Sequence, residues 1–144
     1  MHRVAIMTEE ELNKLTERII GIAIQVHKEL GPGLLEKVYQ RCLKIALEEA
    51  GMKGDSEVDF PVVFRGRRVE DEGFRMDLLV EDVVTLEIKS VKALEDVFMK
   101  QLGTYLRLAN KPCGLLMNFN EVLLTHGSKR IKNGYLPSVN SVPL

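Results

Sequence analysis

The fold is decided by a stretch of 17 residues at positions 73–89, GFRMDLLVEDVVTLEIK. Two apolar runs flank the polar pair Glu81 and Asp82, a pattern that predicts a β-hairpin. Successive side chains of a strand point to opposite faces of its sheet. One face of the hairpin is therefore predicted to be apolar and to carry Met76, Leu78, Val80, Val84, Leu86 and Ile88. The other face is predicted to carry Arg75, Asp77, Leu79, Thr85, Glu87 and Lys89.

The register of the hairpin decides whether its charged side chains meet. A two-residue loop would place Asp77 opposite Leu86 and would split the charges between the two faces. A three-residue loop, residues 81–83, would instead place Asp77 opposite Glu87. Opposed residues of an antiparallel pair share a face. The alternation of apolar side chains therefore favours the three-residue loop, a common hairpin length.

Asp77, Glu87 and Lys89 form the candidate site. Two carboxylates side by side repel each other and need a cation or a proton to coexist. Their hard oxygen ligands suit Mg²⁺ or Mn²⁺, and such a metal lowers the pKa of a bound water and grips a phosphoryl oxygen. The Lys89 ammonium would orient that water or stabilise charge on a phosphate. The alternative interpretation is an ordinary salt bridge between Lys89 and Glu87 or Asp77 on a solvated sheet face.

Helical and strand patterns lie on both sides of the hairpin. Thr8 and Glu11 have the spacing of a capping box, and the Gly-Pro-Gly of residues 31–33 ends the helix that they begin. Pro61 favours an edge position for the strand that contains it. The predicted elements are helices at 8–30 and 34–50, strands at 58–64, 73–80 and 83–89, a helix at 94–109, and strands at 113–119 and 122–125.

This order predicts the α/β class, with a mixed central β-sheet flanked by helices. The first three strands meet at short turns and are expected to be antiparallel. The helix at 94–109 is a crossover that permits parallel pairing. We expect one domain over residues 1–144, with residues 1–7 and 134–144 extended or frayed.

Composition agrees with a soluble domain. The 144 residues are 45% hydrophobic and 28% charged, which is ordinary for one domain. No apolar run approaches the ~20 residues that cross a bilayer, and the first residues do not resemble a secretory signal, so we expect a cytoplasmic protein. Cys42 and Cys113 are predicted to be buried free thiols, with no spacing that suggests zinc.

The net charge of −1 gives no global attraction to nucleic acid. Basic residues are instead concentrated in two segments, residues 65–68 and 129–132. Each segment is interpreted either as a solvated loop or as a local contact for nucleic acid.

Residues 33–39, GLLEKVY, match the Gly-x-x-Glu-x-x-Tyr signature of the small prokaryotic family named for it. That GxxExxY family belongs to the PD-(D/E)XK nuclease superfamily. The resemblance runs through nearly the whole chain, and its further blocks are residues 26–33, 75–80, 86–89, 101–105 and 114–119. One block alone is a weak signal, but all of them in order make chance similarity improbable. The resemblance implies a restriction-endonuclease-like core.

The resemblance also implies a role for each residue of the candidate site. Asp77 and Glu87 would be metal ligands, with the Ile88 carbonyl as a third. Lys89 would be the catalytic lysine. Glu36, on the second helix, resembles the additional acidic residue that completes such catalytic and metal sites.

Four further residues would bind substrate or support the site. Tyr39 lies three residues after Glu36 on the same helix face, and Arg75 belongs to the block that contains Asp77. Gln101 and Tyr105 resemble the Gln-x-x-x-Tyr element of RecB-like nucleases. The alternative for both tyrosines is a place in the core with a hydrated hydroxyl.

Two residues stand outside these roles. His27 is interpreted as a structural histidine rather than a catalyst. Phe98, three residues before Gln101, stands where related sequences often carry a histidine.

The implied function is a Mg²⁺- or Mn²⁺-dependent nuclease, a hydrolase in which a metal-activated water attacks a phosphodiester bond. The implied partner is nucleic acid, with DNA favoured, and no membrane. The alternative is a non-catalytic module of the same fold that binds nucleic acid or a protein. A second copy of the chain is a further candidate partner.

Overall fold

The computed structural model describes residues 7–134 and 141–143. Within those residues, three α-helices and one 3₁₀ helix accompany a six-stranded sheet. In chain order the elements are α1 (Glu9–Leu30), α2 (Glu36–Glu49), β1 (Gly54–Phe64), β2 (Arg67–Val80), β3 (Val84–Lys89), α3 (Asp96–Ala109), β4 (Cys113–Asn118), the 3₁₀ helix (Leu124–Gly127), β5 (Ser128–Lys132) and β6 (Ser141–Pro143).

The strands lie in the sheet in their chain order. β3 and β4 are parallel, and the other neighbours are antiparallel. The parallel pair needs a crossover, which α3 provides. β1 lies at an edge, as Pro61 predicts, because proline has no backbone N–H to donate to a second neighbour. The predicted α/β class with a mixed, helix-flanked sheet is confirmed.

Two apolar clusters hold helices on the sheet. In the larger cluster, buried side chains of α1 and α2, such as Ile19 and Leu43, pack with Leu78, Leu86 and Leu115 of the strands. In the smaller cluster, Met99, Leu102 and Leu106 of α3 pack with Leu116 and Ile131. Leu115 and Leu116 are neighbours on β4 and point to opposite faces, so the two clusters cover the two faces of the sheet.

Local hydrogen bonds define the start of α1. Thr8 and Glu11 form the predicted capping box of α1. α1 ends at Gly31, whose φ of 75° suits a residue without a side chain. α2 begins two residues later than predicted, at Glu36. The predicted structural role of His27 is confirmed, since its buried ring bonds through Nε2 to the carbonyl of Glu121 at 2.7 Å.

Three predictions about the strands are wrong. Residues 122–125 do not form a strand, because Leu124 turns into the core at the start of the 3₁₀ helix. Residues 128–132 form β5, so the loop interpretation of the basic segment 129–132 fails. That strand has a single large aliphatic residue, Ile131, which explains why its pattern was weak. β2 begins at Arg67 rather than at residue 73.

The remaining sequence predictions concern the termini, the cysteines and membranes. The predicted terminal segments fall mostly outside the described residues, apart from β6, which pairs with β5. Cys42 is half-buried and Cys113 is buried, and both are free thiols. Among the residues that the structure describes, no helix has the length and apolar character to span a bilayer.

Candidate active site

The hairpin of β2 and β3 has the register predicted from the sequence. Val80 pairs with Val84, and Leu78 pairs with Leu86. The turn between them is three residues long, and Glu81 and Asp82 adopt positive φ angles of 53° and 58°. This register places Asp77 and Glu87 at opposed positions, immediately beyond the last paired residues.

Asp77 occupies the point at which the two strands separate. In the described part of the chain the backbone ladder stops at Leu78 and Leu86. Beyond that point the Asp77 side chain replaces a backbone carbonyl as the acceptor, since its Oδ2 accepts from the Ile88 N–H at 2.8 Å. Its backbone carbonyl accepts from Gln40 Nε2 of α2 at 3.1 Å. Two bonds thus fix Asp77 where the ladder does not.

The side-chain alternation of β2 also changes at Asp77. Leu78 packs in the cluster with α1 and α2, whereas Phe74 stacks on Tyr105 of α3 with ring centroids 4.3 Å apart. Met76 lies on the α3 side as well, since its sulfur accepts from the Thr85 hydroxyl at 3.1 Å. The prediction that Met76 shares a face with Leu78 is therefore wrong. At the same level of β1, between the pairs of Ser56 with Leu78 and Val58 with Met76, Glu57 has a φ of 52°.

Burial makes the carboxylate pair costly in its ionised form. Burial is the largest cause that raises the pKa of Glu87, to about 8, and the charge of Asp77 adds to it. Burial also raises the pKa of Asp77, while the Ile88 N–H and the charge of Lys89 act against that rise. A proton or a cation is needed to offset two such charges.

One carboxylate oxygen of Glu87 is available as a metal ligand. Its Oε1 is buried and has no hydrogen-bond partner among the described residues. Most buried polar atoms are bonded, so an exception requires an explanation such as an ion. Two carboxylates and the Ile88 carbonyl are the oxygen donors that Mg²⁺ accepts. The donor set therefore fits a divalent metal.

Lys89 follows Glu87 by two residues on β3. Its Nζ lies 4.5 Å from the centroid of the Phe98 ring on α3. Within the described part of the chain Lys89 forms no ion pair with Glu87 or Asp77. The salt-bridge interpretation therefore fails, and the aromatic ring holds the ammonium near the carboxylates instead.

Glu36 begins α2 on the same side of the molecule. Its Oε2 accepts from the Ser90 N–H at 3.1 Å, and its charge contributes to the raised pKa values of both Asp77 and Glu87. Its side chain remains exposed. Where side chains are described, no group of three or more His, Cys, Asp or Glu residues is arranged to hold a metal ion. Glu36 is thus near the pair without joining it.

Comparison with known families identifies this arrangement. The family model described as the PD-(D/E)XK nuclease superfamily matches residues 13–131. The chain belongs to the PD-(D/E)XK nuclease superfamily. Neither a search of curated proteins nor a search of solved structures gave a match. The mixed sheet with its flanking helices agrees with a restriction-endonuclease-like core, and PD-(D/E)XK nucleases generally use divalent metals such as Mg²⁺.

The supporting residues predicted for this PD-(D/E)XK core lie in three different settings. Tyr39 is fully buried and stacks on Phe119. Its hydroxyl donates to the Gly31 carbonyl at 2.6 Å and accepts from the Leu34 N–H at 3.0 Å. Tyr39 therefore shapes the loop before Glu36 and lies away from any substrate surface.

Tyr105 and Gln101 both lie on α3. Tyr105 is half-buried, and its pKa is raised by burial and by the charges of Glu87 and Asp77. Gln101 lies one helical turn earlier and is exposed. Arg75 is exposed on β2, where its Nε donates to Asp59 Oδ1 at 2.8 Å.

Three polar residues that hold the PD-(D/E)XK site were not predicted. Gln40 fixes the backbone of Asp77, and Ser90 links the end of β3 to Glu36 and to the Leu34 carbonyl. Asn118 is fully buried at the end of β4 and bonds both backbone groups of Val91. Asn118 lies in a strand pattern otherwise made of apolar residues, and that exception was the available signal.

Proposed function

We propose that the chain is a Mg²⁺-dependent nuclease that hydrolyses phosphodiester bonds of DNA. The observation that carries the proposal is the pair of half-buried Asp77 and buried Glu87 at the point where β2 leaves β3, with one Glu87 oxygen unpartnered among the described residues. A lysine stands beside that pair without neutralising it in an ion pair. Such an arrangement is costly for stability alone, which favours a role in binding a cation and a phosphate.

Each residue has a proposed task. Asp77 and Glu87, with the Ile88 carbonyl, would hold the metal, which supplies a Lewis acid and an activated water when bound. Lys89 would stabilise negative charge on the phosphate or orient the attacking water, and its ammonium is no ligand because it has no lone pair. Glu36 would act from the second helix as an outer acidic group, since its carboxylate already bonds to Ser90.

The substrate-facing surface would be formed by α3 and the part of β2 that precedes Asp77. Gln101 is exposed one turn from Tyr105, and Arg75 is exposed two residues before Asp77. These side chains can donate hydrogen bonds to a phosphate or a base. The preference for DNA and a prokaryotic setting rest on the resemblance to the GxxExxY family, and a cytoplasmic setting rests on a sequence without a long apolar run or a segment like a secretory signal.

The test is incubation with labelled single- and double-stranded DNA and RNA, with Mg²⁺, with Mn²⁺ and with a chelator. We expect cleavage of DNA that needs the metal. Glu87→Gln keeps the size of the side chain and should abolish cleavage. Glu17→Gln is the matched control, since Glu17 is exposed on α1, and it should cleave like the parent protein.

The outcomes separate the two functions that this fold can serve. Equal cleavage by Glu87→Gln and by the parent protein would place the activity elsewhere. Metal-independent binding of nucleic acid or of a protein, with no cleavage of any substrate, would instead establish the non-catalytic module.

A further inference from the structure

Residues 58–76 form an arm that extends β1 and β2 beyond the rest of the sheet. In the described part of the chain, β2 pairs with β3 only through Leu78, Leu79 and Val80. Residues 67, 68 and 73–76 of β2 pair with β1 alone, and the register of this pairing shifts between Pro61 and Val63. The arm is therefore a two-stranded ribbon that starts where the carboxylate pair lies.

The base of the arm is fixed to the domain by aromatic stacking. Phe60 stacks on Phe74 with centroids 5.5 Å apart, and Phe74 stacks on Tyr105 at 4.3 Å. The strands also approach closely, since a Cβ at Gly73 would lie 2.2 Å from the Phe60 carbonyl oxygen. The arm thus leaves the domain from a defined point beside Asp77 and Glu87.

The tip of the arm is basic and exposed. Arg65, Arg67 and Arg68 lie within four residues, and residues 61–69 contain no acidic side chain. All three arginines are exposed, and Phe64 beside them is 61% exposed. The Arg65 guanidinium covers the Phe64 ring, 4.9 Å from its centroid. This concentration of charge contrasts with the net charge of −1 for the whole chain.

Further along the arm the charges balance in the sequence, because Glu70, Asp71 and Glu72 follow Arg68. Arg68 and Arg75 line the same concavity on the arm, which has a volume of about 410 Å³. Closer to the site Glu57 is paired with Lys37 and Asp59 with Arg75, so the excess of positive charge is confined to the tip. Exposed arginines along one ribbon are the donors that bind phosphates of nucleic acid.

We propose that the arm docks in the major groove of duplex DNA and sets the length of duplex that the protein engages. This inference rests on the proposed function, since the arm begins at the proposed catalytic pair. The major groove is wide enough for a two-stranded ribbon. Single-stranded nucleic acid has no such groove, and duplex RNA has a major groove too narrow for it.

The length of the arm gives the proposal a measurable scale. Arg67 pairs with Phe64 and Met76 pairs with Val58, so the arm spans six residues of β1, which corresponds to at most about 20 Å along a strand. One turn of duplex DNA spans about 34–36 Å, or roughly 10 base pairs. The arm tip should therefore contact phosphates up to about 6 base pairs, somewhat over half a turn, from the bond held at the carboxylate pair.

The experiment measures binding without cleavage. Affinities for DNA duplexes of increasing length, and for single strands and RNA duplexes of the same lengths, are measured in chelator. The double variant Arg67→Ala, Arg68→Ala should bind long DNA duplexes roughly tenfold more weakly, with a salt dependence shallower by about two phosphate contacts. On duplexes shorter than about 6 base pairs it should match the parent protein.

Lys14→Ala with Lys28→Ala is the matched control, because it removes two exposed positive charges from α1. We expect it to reduce affinity much less than the arm variant at every length. Equal losses in the two variants would overturn the proposal, as would an arm effect that is the same at all lengths, an arm effect equally strong on single strands, or no binding of duplex DNA. If arm-dependent binding is found but the parent protein cleaves nothing with metal, the nuclease proposal fails and the arm proposal stands.

Discussion

The two parts of β2 differ in how their backbone is satisfied. In Leu78–Val80 the strand has a neighbour on each side, and its side chains are buried in apolar packing. Before Leu78 the strand pairs with β1 alone, and side chains replace the lost bonds of β3. Where the ladder of backbone hydrogen bonds is complete, the side chains contribute only packing. A ladder that opens brings polar side chains into the interior, where their charge is strongly felt.

The junction between the two parts is therefore the place where chemistry is expected. Asp77 lies on the open side of it and Glu87 faces it from β3. If the ladder continued as a regular packed sheet, these two positions would be expected to carry apolar side chains instead of carboxylates. Variants at the junction should change charge-dependent properties such as metal binding. Variants in the paired part should change only the free energy of unfolding, as core variants do.

The largest effect is expected for Lys89→Ala. Loss of one electrostatic stabiliser of the transition state costs roughly 10²-fold or more in rate. Affinity for DNA should change little, because one phosphate contact is a small part of the total. Single-turnover cleavage and binding in chelator measure the two quantities separately.

The control for this variant is Lys92→Ala, which removes an exposed lysine three residues further along. It should cleave at nearly the parent rate. If Lys89→Ala also cleaves at the parent rate, the lysine held over Phe98 has no part in the chemistry.

The second effect concerns metal and stability. A metal that binds only the folded state should raise the free energy of unfolding by about 2.7 kcal/mol at a hundredfold excess over its dissociation constant. Asp77→Asn should abolish this gain, although its amide oxygen can still accept from the Ile88 N–H. Thermal unfolding with and without Mg²⁺ or Mn²⁺ provides the measurement.

Asp55→Asn is the control for the metal effect, since Asp55 is a half-exposed acid of β1 that pairs with Lys53. It should keep the full gain. A melting temperature that does not respond to either metal at millimolar concentration would favour the non-catalytic module.

The paired part of the molecule was the part that its sequence predicted well. Alternation around residues 78–80 and 84–88 set the register of the hairpin, and the capping box set the start of α1. Opposed positions then placed Asp77 beside Glu87 without further information. Local patterns succeed where one face of an element is simply apolar.

The open part could not be predicted in the same way. The face change at Asp77 depends on contacts of Phe74 and Met76 with α3 and β3, which are distant in sequence or register. The bond from Gln40 to the Asp77 carbonyl spans 37 residues. The predicted strand began too late, at residue 73, because residues 67–72 are charged except for Val69 and lack an apolar alternation.

The third effect is the pH dependence that Glu87 gives to stability in the absence of metal. Its pKa rises from 4.5 to about 8 on folding, so the folded state holds a proton that the unfolded state releases between those values. The contribution of Glu87 to stability is complete below pH 4.5 and is lost as the pH rises towards 8. Glu87→Gln carries no such proton.

The parent protein should therefore lose stability relative to Glu87→Gln across this window, by at most about 1.4 kcal/mol per pH unit. Urea unfolding of both proteins in chelator at several pH values measures the difference, in which other titrating groups largely cancel. A constant difference from pH 5 to pH 8 would show that Glu87 is ionised throughout and that the junction is well hydrated.

The smallest effect is expected for Gln40→Met, which tests what holds the open part in place. Met has nearly the same length and suits the buried position, but it cannot donate to the Asp77 carbonyl. The loss should reduce the free energy of unfolding by about 1 kcal/mol, as for one hydrogen bond whose acceptor loses its partner. Gln25→Met on the exposed side of α1 should have almost no effect.

Because the bond positions Asp77 rather than a group that touches substrate, Gln40→Met should also weaken metal-dependent stabilisation while leaving DNA affinity in chelator unchanged. If unfolding and metal response both equal those of the parent protein, Asp77 is held by β1 and the Ile88 N–H alone, and the difference between the two parts of β2 does not depend on α2.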